Sequence, residues 1–166
     1  AGVCLSTLGP GATNLMTGVA DANLDGAPLI AITGQVGTDR MHIESHQYLD
    51  LVAMFAPVTK WGKQIVRPDN TPEIVRKAFK TAQTEKPGAV HIDVPENIAA
   101  MPAMGKPLHK NTLDKTFAAF HNLEQAAALI SQAENPIVLV GNGAIRAQAS
   151  EALTEFATQL NLPVAN

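Results

Sequence analysis

Aromatic side chains are nearly missing from this sequence: one Trp, one Tyr and five Phe among 166 residues, or 4%. Any core must therefore be filled by Ala, Val, Ile, Leu and Met. There is one cysteine, Cys4. That excludes an internal disulfide and suits a reducing compartment, so the expectation is a cytoplasmic protein. Inside the apolar run Val3-Cys4-Leu5 it reads as a buried strand residue. Basic charge is not in excess: 12 Lys and Arg stand against 15 Asp and Glu, a net charge of -3. The electrostatic footprint of a nucleic-acid partner is absent. No apolar run approaches the roughly 20 residues that span a bilayer, so no membrane partner is expected. The chain has no initiator Met and no signal-like leader. It opens on a strand pattern and stops on another at residues 162–165, which reads as a piece of something longer. What remains, 46% hydrophobic and 16% charged residues, describes one globular domain, or one domain and part of another.

Along the chain, short apolar runs alternate with helical spacing. Residues 3–7 read as a buried strand, followed by the turn Gly9-Pro10-Gly11. Residues 12–24 carry Leu15, Val19 and Ala22 at helical spacing, and Asp25-Gly26 stops them. Strands are expected at 27–34, at 59–66 nearer an edge, and at 89–95. Residues 35–47 read as a loop and 49–55 as a short helix. Residues 71–85 read as a strong helix, with Thr71 as its cap and Pro72 in its first turn. Most strands lack in–out alternation, the mark of a parallel sheet with helices on both faces. The fold class is therefore α/β. Residues 97–119 have no steady period and read as a surface linker. A second α/β pattern follows: helix 123–133, strand 136–141, the turn "NGAIR", helix 149–160 and strand 162–165. The expected division is 1–97, linker 98–119, and 120–166.

Several clusters invite a chemical reading. A loop at the carboxyl end of a parallel strand is where open α/β sheets bind ligands. The stretch "STLGPGATNLMTG" from Ser6 supplies such a loop before a helix N-terminus. It lacks the Lys-Ser/Thr of a nucleotide P-loop. A ligand site and a merely structural tight turn both remain open. "VGNGAIR", residues 140–146, has two of the three glycines of a dinucleotide fingerprint, and turn chemistry explains it as well. In "HIESH", His42 and His46 are four apart, but Gly37, Thr38 and Asp39 argue against a helix and no third ligand is in sight, so no metal site is expected. His91 reads as a hydrogen-bonded core histidine, Asp93 and Glu96 as structural or solvated, and Arg76, Lys77 and Lys80 as the wet face of their helix.

The stretch "GPGATNLMTGVADANLDGAPLIAITGQVGTDR", then "VTK" at 58–60 and "KPGAVHIDVP" at 86–95, resembles the thiamine-diphosphate-dependent acetolactate synthases and their relatives, which include pyruvate oxidases and glyoxylate carboligase. The likeness is close over residues 1–97 and looser beyond. It implies a three-domain enzyme. This chain would hold the C-terminal part of a pyrimidine-binding domain and the N-terminal part of a central domain. It further implies thiamine diphosphate and Mg2+ as cofactors, and a homodimer or homotetramer acting on small 2-oxo acids. The reaction would condense two pyruvates, or pyruvate and 2-oxobutyrate, to a 2-acetolactate with loss of CO2, through an enamine on the cofactor. By the same resemblance, Gly9, Pro10, Gly11 and Asn14 flank the cofactor, and Gln47 is both cofactor-binding and catalytic, near the bound carbonyl group. No metal ligand of the family falls on this chain.

Two departures stand out. His46 replaces the Phe that precedes the glutamine in many members, which resembles the catabolic-type branch. Lys86 and Asn142 replace residues on the flavin side of biosynthetic members, so FAD is expected to be absent. The alternatives are a related thiamine-diphosphate-dependent decarboxylase, oxidase or carboligase, and a non-catalytic α/β interaction module.

Overall fold

A computed structural model describes residues 1–43, 45–109 and 117–166. The chain forms two compact units, residues 1–113 and 114–166. Residues 110–116, within the stretch expected to be a linker, lie outside the described residues.

The first unit runs β1 (Gly2–Ser6), α1 (Pro10–Leu24), β2 (Leu29–Gln35), α2 (Leu51–Phe55), β3 (Trp61–Gln64), α3 (Thr71–Gln83), β4 (Ala89–Pro95) and α4 (Glu96–Ala99). Its four strands form a parallel sheet in the order β1-β2-β4-β3. The centre is β2 against β4, in register from Leu29 opposite Ala89 to Gln35 opposite Pro95. Both strands are rich in β-branched residues, which pack well on a pleated surface buried on both sides.

Side chains alternate between the two faces. On one face Ile30, Val90 and Ile92 pack with Ala78 and Ala82 of α3, and with Ile65 and Ile98. On the other, Ala31 and Ala89 pack with Ala12 and Val19 of α1 and Leu51 and Phe55 of α2. Small residues on the helices let backbones approach the sheet, which is how a core short of aromatics reaches close packing. Phe55, fully buried, is the largest piece of that second core and contributes about 2–3 kcal/mol on burial.

The structure corrects the sequence reading at several points. β1 is an edge strand and not a buried one: Val3 is 55% and Leu5 77% exposed, and Cys4 is half-buried with its Sγ 3.7 Å from the Ile30 carbonyl. Val3 and Leu5 share a face, and α3 lies over the central strands. α1 starts at Pro10, so only Gly9 of the Gly-Pro-Gly triplet lies outside the helix. Thr71 is the first helical residue of α3 and not its cap. A 3-10 turn over Pro68–Asn70 leads in, and Asn70 holds the cap position without a side-chain bond. The strand expected at 59–66 is β3, four residues long, on the far edge. Residues 97–99, read as the start of a linker, belong to α4, and beyond it the Met104 N–H donates to Asp69 Oδ1.

Two lysines close helix ends. The Lys60 Nζ donates to the carbonyls of Thr81, Thr84 and Lys86 at 2.8, 2.7 and 2.7 Å, capping α3. The Lys86 Nζ donates to the Leu24 carbonyl at 3.0 Å, capping α1. Both place a cation at the negative end of a helix dipole, where free carbonyls collect. Asn23 completes the joint: its Oδ1 accepts from the Ala89 N–H, and a Cβ on Gly88 would fall 2.5 Å from that oxygen.

The second unit holds α5 (Phe120–Gln132), β5 (Val138–Leu139), α6 (Asn142–Arg146), α7 (Ser150–Gln159) and β6 (Val164–Ala165). β5 and β6 pair in parallel. The "NGAIR" segment is the short helix α6 and not a plain turn. Gln148 and Asn161 adopt positive φ beyond the ends of α6 and α7, as side-chain amides often do where a helix stops.

Candidate functional site

In a parallel sheet the loops after each strand gather at one end, and ligands bind there. In the first unit these are residues 7–9 after β1, 36–50 after β2, and the start of α4 after β4. Gly9 has φ 55°, a region closed to most side chains. It is buried, and a Cβ built on it would fall 2.7 Å from Gln47 Cβ and 2.8 Å from Gln47 O. Glycine is required here twice over, by the backbone angle and by the approach of Gln47. Gly11 is needed too, because a Cβ there would meet Ser6 Oγ at 2.5 Å and Thr7 Cγ2 at 2.6 Å. Pro10 occupies the first position of α1, where its missing N–H costs nothing. Its carbonyl accepts from Thr13 Oγ1 at 3.0 Å.

The structure thus brings Gly9 and Gln47 together from loops some 38 residues apart. Gln47 itself has φ 58° and an exposed side chain. Asn14 lies exposed on the first turn of α1. His42 and His46 are both exposed, and no group of three metal-ligating side chains occurs among the described residues.

The loop carrying Gln47 is tied at both ends. Near its start, the Thr38 N–H donates to Asn97 Oδ1 at 3.0 Å and Asn97 Nδ2 donates to Thr38 Oγ1 at 2.8 Å, while Arg40 pairs with Glu96. Near its end, Gln35 Nε2 donates to the Leu49 carbonyl at 2.8 Å, and Asp50 Oδ1 accepts from the Ala53 N–H at 3.0 Å to cap α2. Glu96 is therefore an exposed ion-pair partner, and Asp93 is fully buried. The two do not act together.

Beneath this loop lies a polar network that the sequence did not disclose. Thr33 Oγ1 donates to Asp93 Oδ1 at 3.0 Å and sits 2.8 Å from His91 Nε2. Gln64 Nε2 donates to Asp93 Oδ2 at 2.7 Å. The His91 ring stacks on Phe55 at 4.3 Å between centroids. With Thr33 donating to Asp93, its oxygen accepts from His91 Nε2–H. That leaves Nδ1 unprotonated, and it has no partner. Burial holds the His91 imidazole down to a pKa of about 4 from its usual 6.5, so it is neutral. Burial also pushes the Asp93 carboxyl up, and hydrogen bonds from Gln64, Thr33 and Gln35 pull the other way. A legible hint existed: Thr33, His91 and Asp93 interrupt apolar strands at alternate positions. The register that sets Thr33 opposite Asp93 was not legible.

Among the described residues the donor set at the loop ends is neutral: the first turn of α1, the Gln47 amide, and no free cation, since Arg40 is paired. Such a set fits the edge of an uncharged heterocycle. It does not fit a diphosphate.

Comparison with known proteins gives the same direction. The model for the thiamine pyrophosphate enzyme N-terminal TPP-binding domain matches residues 1–54, and that for the central domain of the same enzymes matches residues 123–166. The chain is 42% identical over 171 residues to a protein of Methanocaldococcus jannaschii named "Probable acetolactate synthase large subunit", covering 99% of this chain and 29% of that one. It is 39% identical over 167 residues to the acetolactate synthase large subunit of Corynebacterium glutamicum, covering 98% and 27%. The X-ray structure of a protein from Mycobacterium smegmatis, described as thiamin diphosphate-dependent, superimposes with a TM-score of 0.87 at 26% identity, covering 98% of this chain and 32% of that one. The chain spans under a third of the length of the curated relatives it matches. With its parallel sheet and both of its matched segments in agreement, the chain belongs to the thiamine pyrophosphate enzymes.

Proposed function

We propose that the protein is an acetolactate synthase, a transferase that condenses two pyruvates, or pyruvate and 2-oxobutyrate, to a 2-acetolactate with release of CO2. The observation that carries the reading is the seating of Gln47 against Gly9. The residue that the family resemblance marks as catalytic lies on the turn that the same resemblance marks as cofactor-binding. In this reading Gly9, Pro10, Gly11 and Asn14 face the pyrimidine end of thiamine diphosphate, and Mg2+ accompanies its diphosphate. The neutral groups described above suit the first and offer nothing to the second. When bound, thiamine diphosphate supplies the carbon–carbon bond chemistry.

The chain's own contribution is binding and orientation. The Gln47 amide is a donor and an acceptor on an exposed side chain. Its NH2 donates to the carbonyl oxygen of a bound 2-oxo acid and steadies charge as it develops there. The bare Gly9 surface lets the backbone and Cβ of Gln47 lie close to the start of α1. Lys86 is committed to the Leu24 carbonyl, and Asn142 opens α6 instead of a Gly-rich turn. Both support a protein without FAD. A homodimer or homotetramer in the cytoplasm completes the reading.

The test is acetolactate formation from pyruvate by the protein containing this chain, with thiamine diphosphate and Mg2+ added. Gln47→Ala is expected to lower turnover by about 100-fold or more with an unchanged melting temperature. Full turnover in a folded variant removes Gln47 from the site, and no acetolactate from the unmodified protein removes the assignment.

A further inference from the structure

We infer that Gln35 is a positioning residue for the Gln47 loop, acting through Leu49. The inference rests on the reading of Gln47 as a site residue. Gln47 sits at φ 58°, a left-handed conformation that a non-glycine residue keeps only when its surroundings hold it. Its neighbours must therefore be anchored, and the anchor nearest in sequence is the Leu49 carbonyl, two residues on.

Gln35 reaches that carbonyl from the end of β2. Its side chain is 2% exposed, and both the oxygen and the nitrogen of its amide are bonded. Oε1 accepts from the Val36 N–H at 3.0 Å and Nε2 donates to Leu49 O at 2.8 Å, with the Asp93 carboxylate close to the same amide. Glutamate has no donor for Leu49, and methionine has neither donor nor acceptor of strength, so only a glutamine of this length serves both partners. Asp93, which accepts from Thr33 and Gln64, lies close to that amide. Thr33 extends the network to His91, whose ring stacks on Phe55 at the far end of α2. Residues 49–55 are thus fastened at one end by Gln35 and at the other by the stacking of Phe55 on His91. The piece of chain just after Gln47 cannot shift without breaking the Gln35 bond.

The test uses native-state amide hydrogen exchange on the 166-residue chain. The Tyr48 N–H, bonded to Ser45 O at 3.1 Å, reports on the loop, and the β4 amides report on the sheet. In Gln35→Met, Tyr48 exchange is expected to rise at least tenfold relative to the β4 amides. In Thr33→Val, which spares the Leu49 bond, exchange rises but the Tyr48-to-β4 ratio stays within about twofold. A Gln35→Met ratio within twofold of the unmodified chain overturns the proposal. Should Gln35→Met not fold, the Gln35 side-chain amide of the unmodified chain decides. Slow exchange of its Nε2 protons with cross-peaks to Leu49 supports the proposal, and a fast-exchanging amide overturns it. None of these measurements involves the cofactor, so failure of the acetolactate assay and failure here are separate results.

Discussion

Gly9 and Gly18 show how differently two glycines in the same neighbourhood behave. At Gly9 a methyl group meets Gln47 at 2.7 Å on a backbone at φ 55°. At Gly18, in the middle of α1, nothing lies within 4 Å of the same methyl. Gly9→Ala is therefore expected to destabilise by about 1–3 kcal/mol, and Gly18→Ala to stabilise by about 0.5–1 kcal/mol. Urea midpoints of the two variants give the answer. Equal midpoints would mean that Gly9 is not held against Gln47.

His91 makes a prediction about pH at the same scale. Its folded pKa of about 4 lies below the unfolded value of 6.5, so between those values the unfolded chain binds the extra proton. The stabilisation is complete above about pH 6.5 and drains as pH falls toward 4, by at most roughly 3 kcal/mol. Asp93 has the opposite sign, because its folded pKa is raised. Its contribution is present at acid pH and lost as pH rises through the folded value, so it blunts the loss at the acid end. Unfolding free energies at pH 7, 5.5 and 4.5 should fall in that order, and the slope should shrink in His91→Gln. A slope equal in both proteins would place the sensitive group elsewhere.

Among the elements, α3 depends on one cation. Its periodicity made it the clearest helix in the sequence, with Arg76, Lys77 and Lys80 on the exposed side as expected and Lys77 lying over the Trp61 ring at 4.8 Å. Its end was less legible. Lys60 arrives from the segment before β3 and satisfies three carbonyls. Lys60→Met keeps the aliphatic stem and removes the donor, and is expected to cost about 1–3 kcal/mol. Exchange protection should fall first at the Thr84 and Gly88 amides, which bond to Lys80 O and Ala82 O. Uniform loss across the unit would argue that the contact carries no local role. The same helix shows why caps are hard to read from sequence. Thr71 has the right chemistry, but the 3-10 turn before it moves the start by one residue and leaves Thr71 inside.

For the whole chain, the expected outcome is weak cofactor binding. The described residues contain no group of three metal-ligating side chains, and the loop ends offer neutral donors. Calorimetric titration of the 166-residue chain with thiamine diphosphate and magnesium should show no saturable micromolar binding, which would correspond to roughly −8 kcal/mol. Such binding, if found, would place a diphosphate site among residues read here as structural.

What the sequence determined by itself was the kind of fold and the fixed turn at the start of α1. Short runs with apolar residues on both faces, at 29–32 and again around His91 and Asp93 in 89–95, dictate a parallel sheet, because only buried strands tolerate apolar side chains on both faces. The Gly-Pro-Gly spacing dictates a fixed turn at a helix start, and local chemistry suffices for that. The contact between Gly9 and Gln47, the exposure of Val3 and Leu5 on an edge, and the fastening of Leu49 by Gln35 were decided only by tertiary structure. Each depends on which strand lies beside which. That order follows from how helices of given length and smallness cover a sheet, and no local window of sequence contains it. The buried trio Thr33, His91 and Asp93 illustrates the reason. Each residue alone is an ordinary polar interruption in a strand, and parallel register sets two of them opposite each other with the third two positions away.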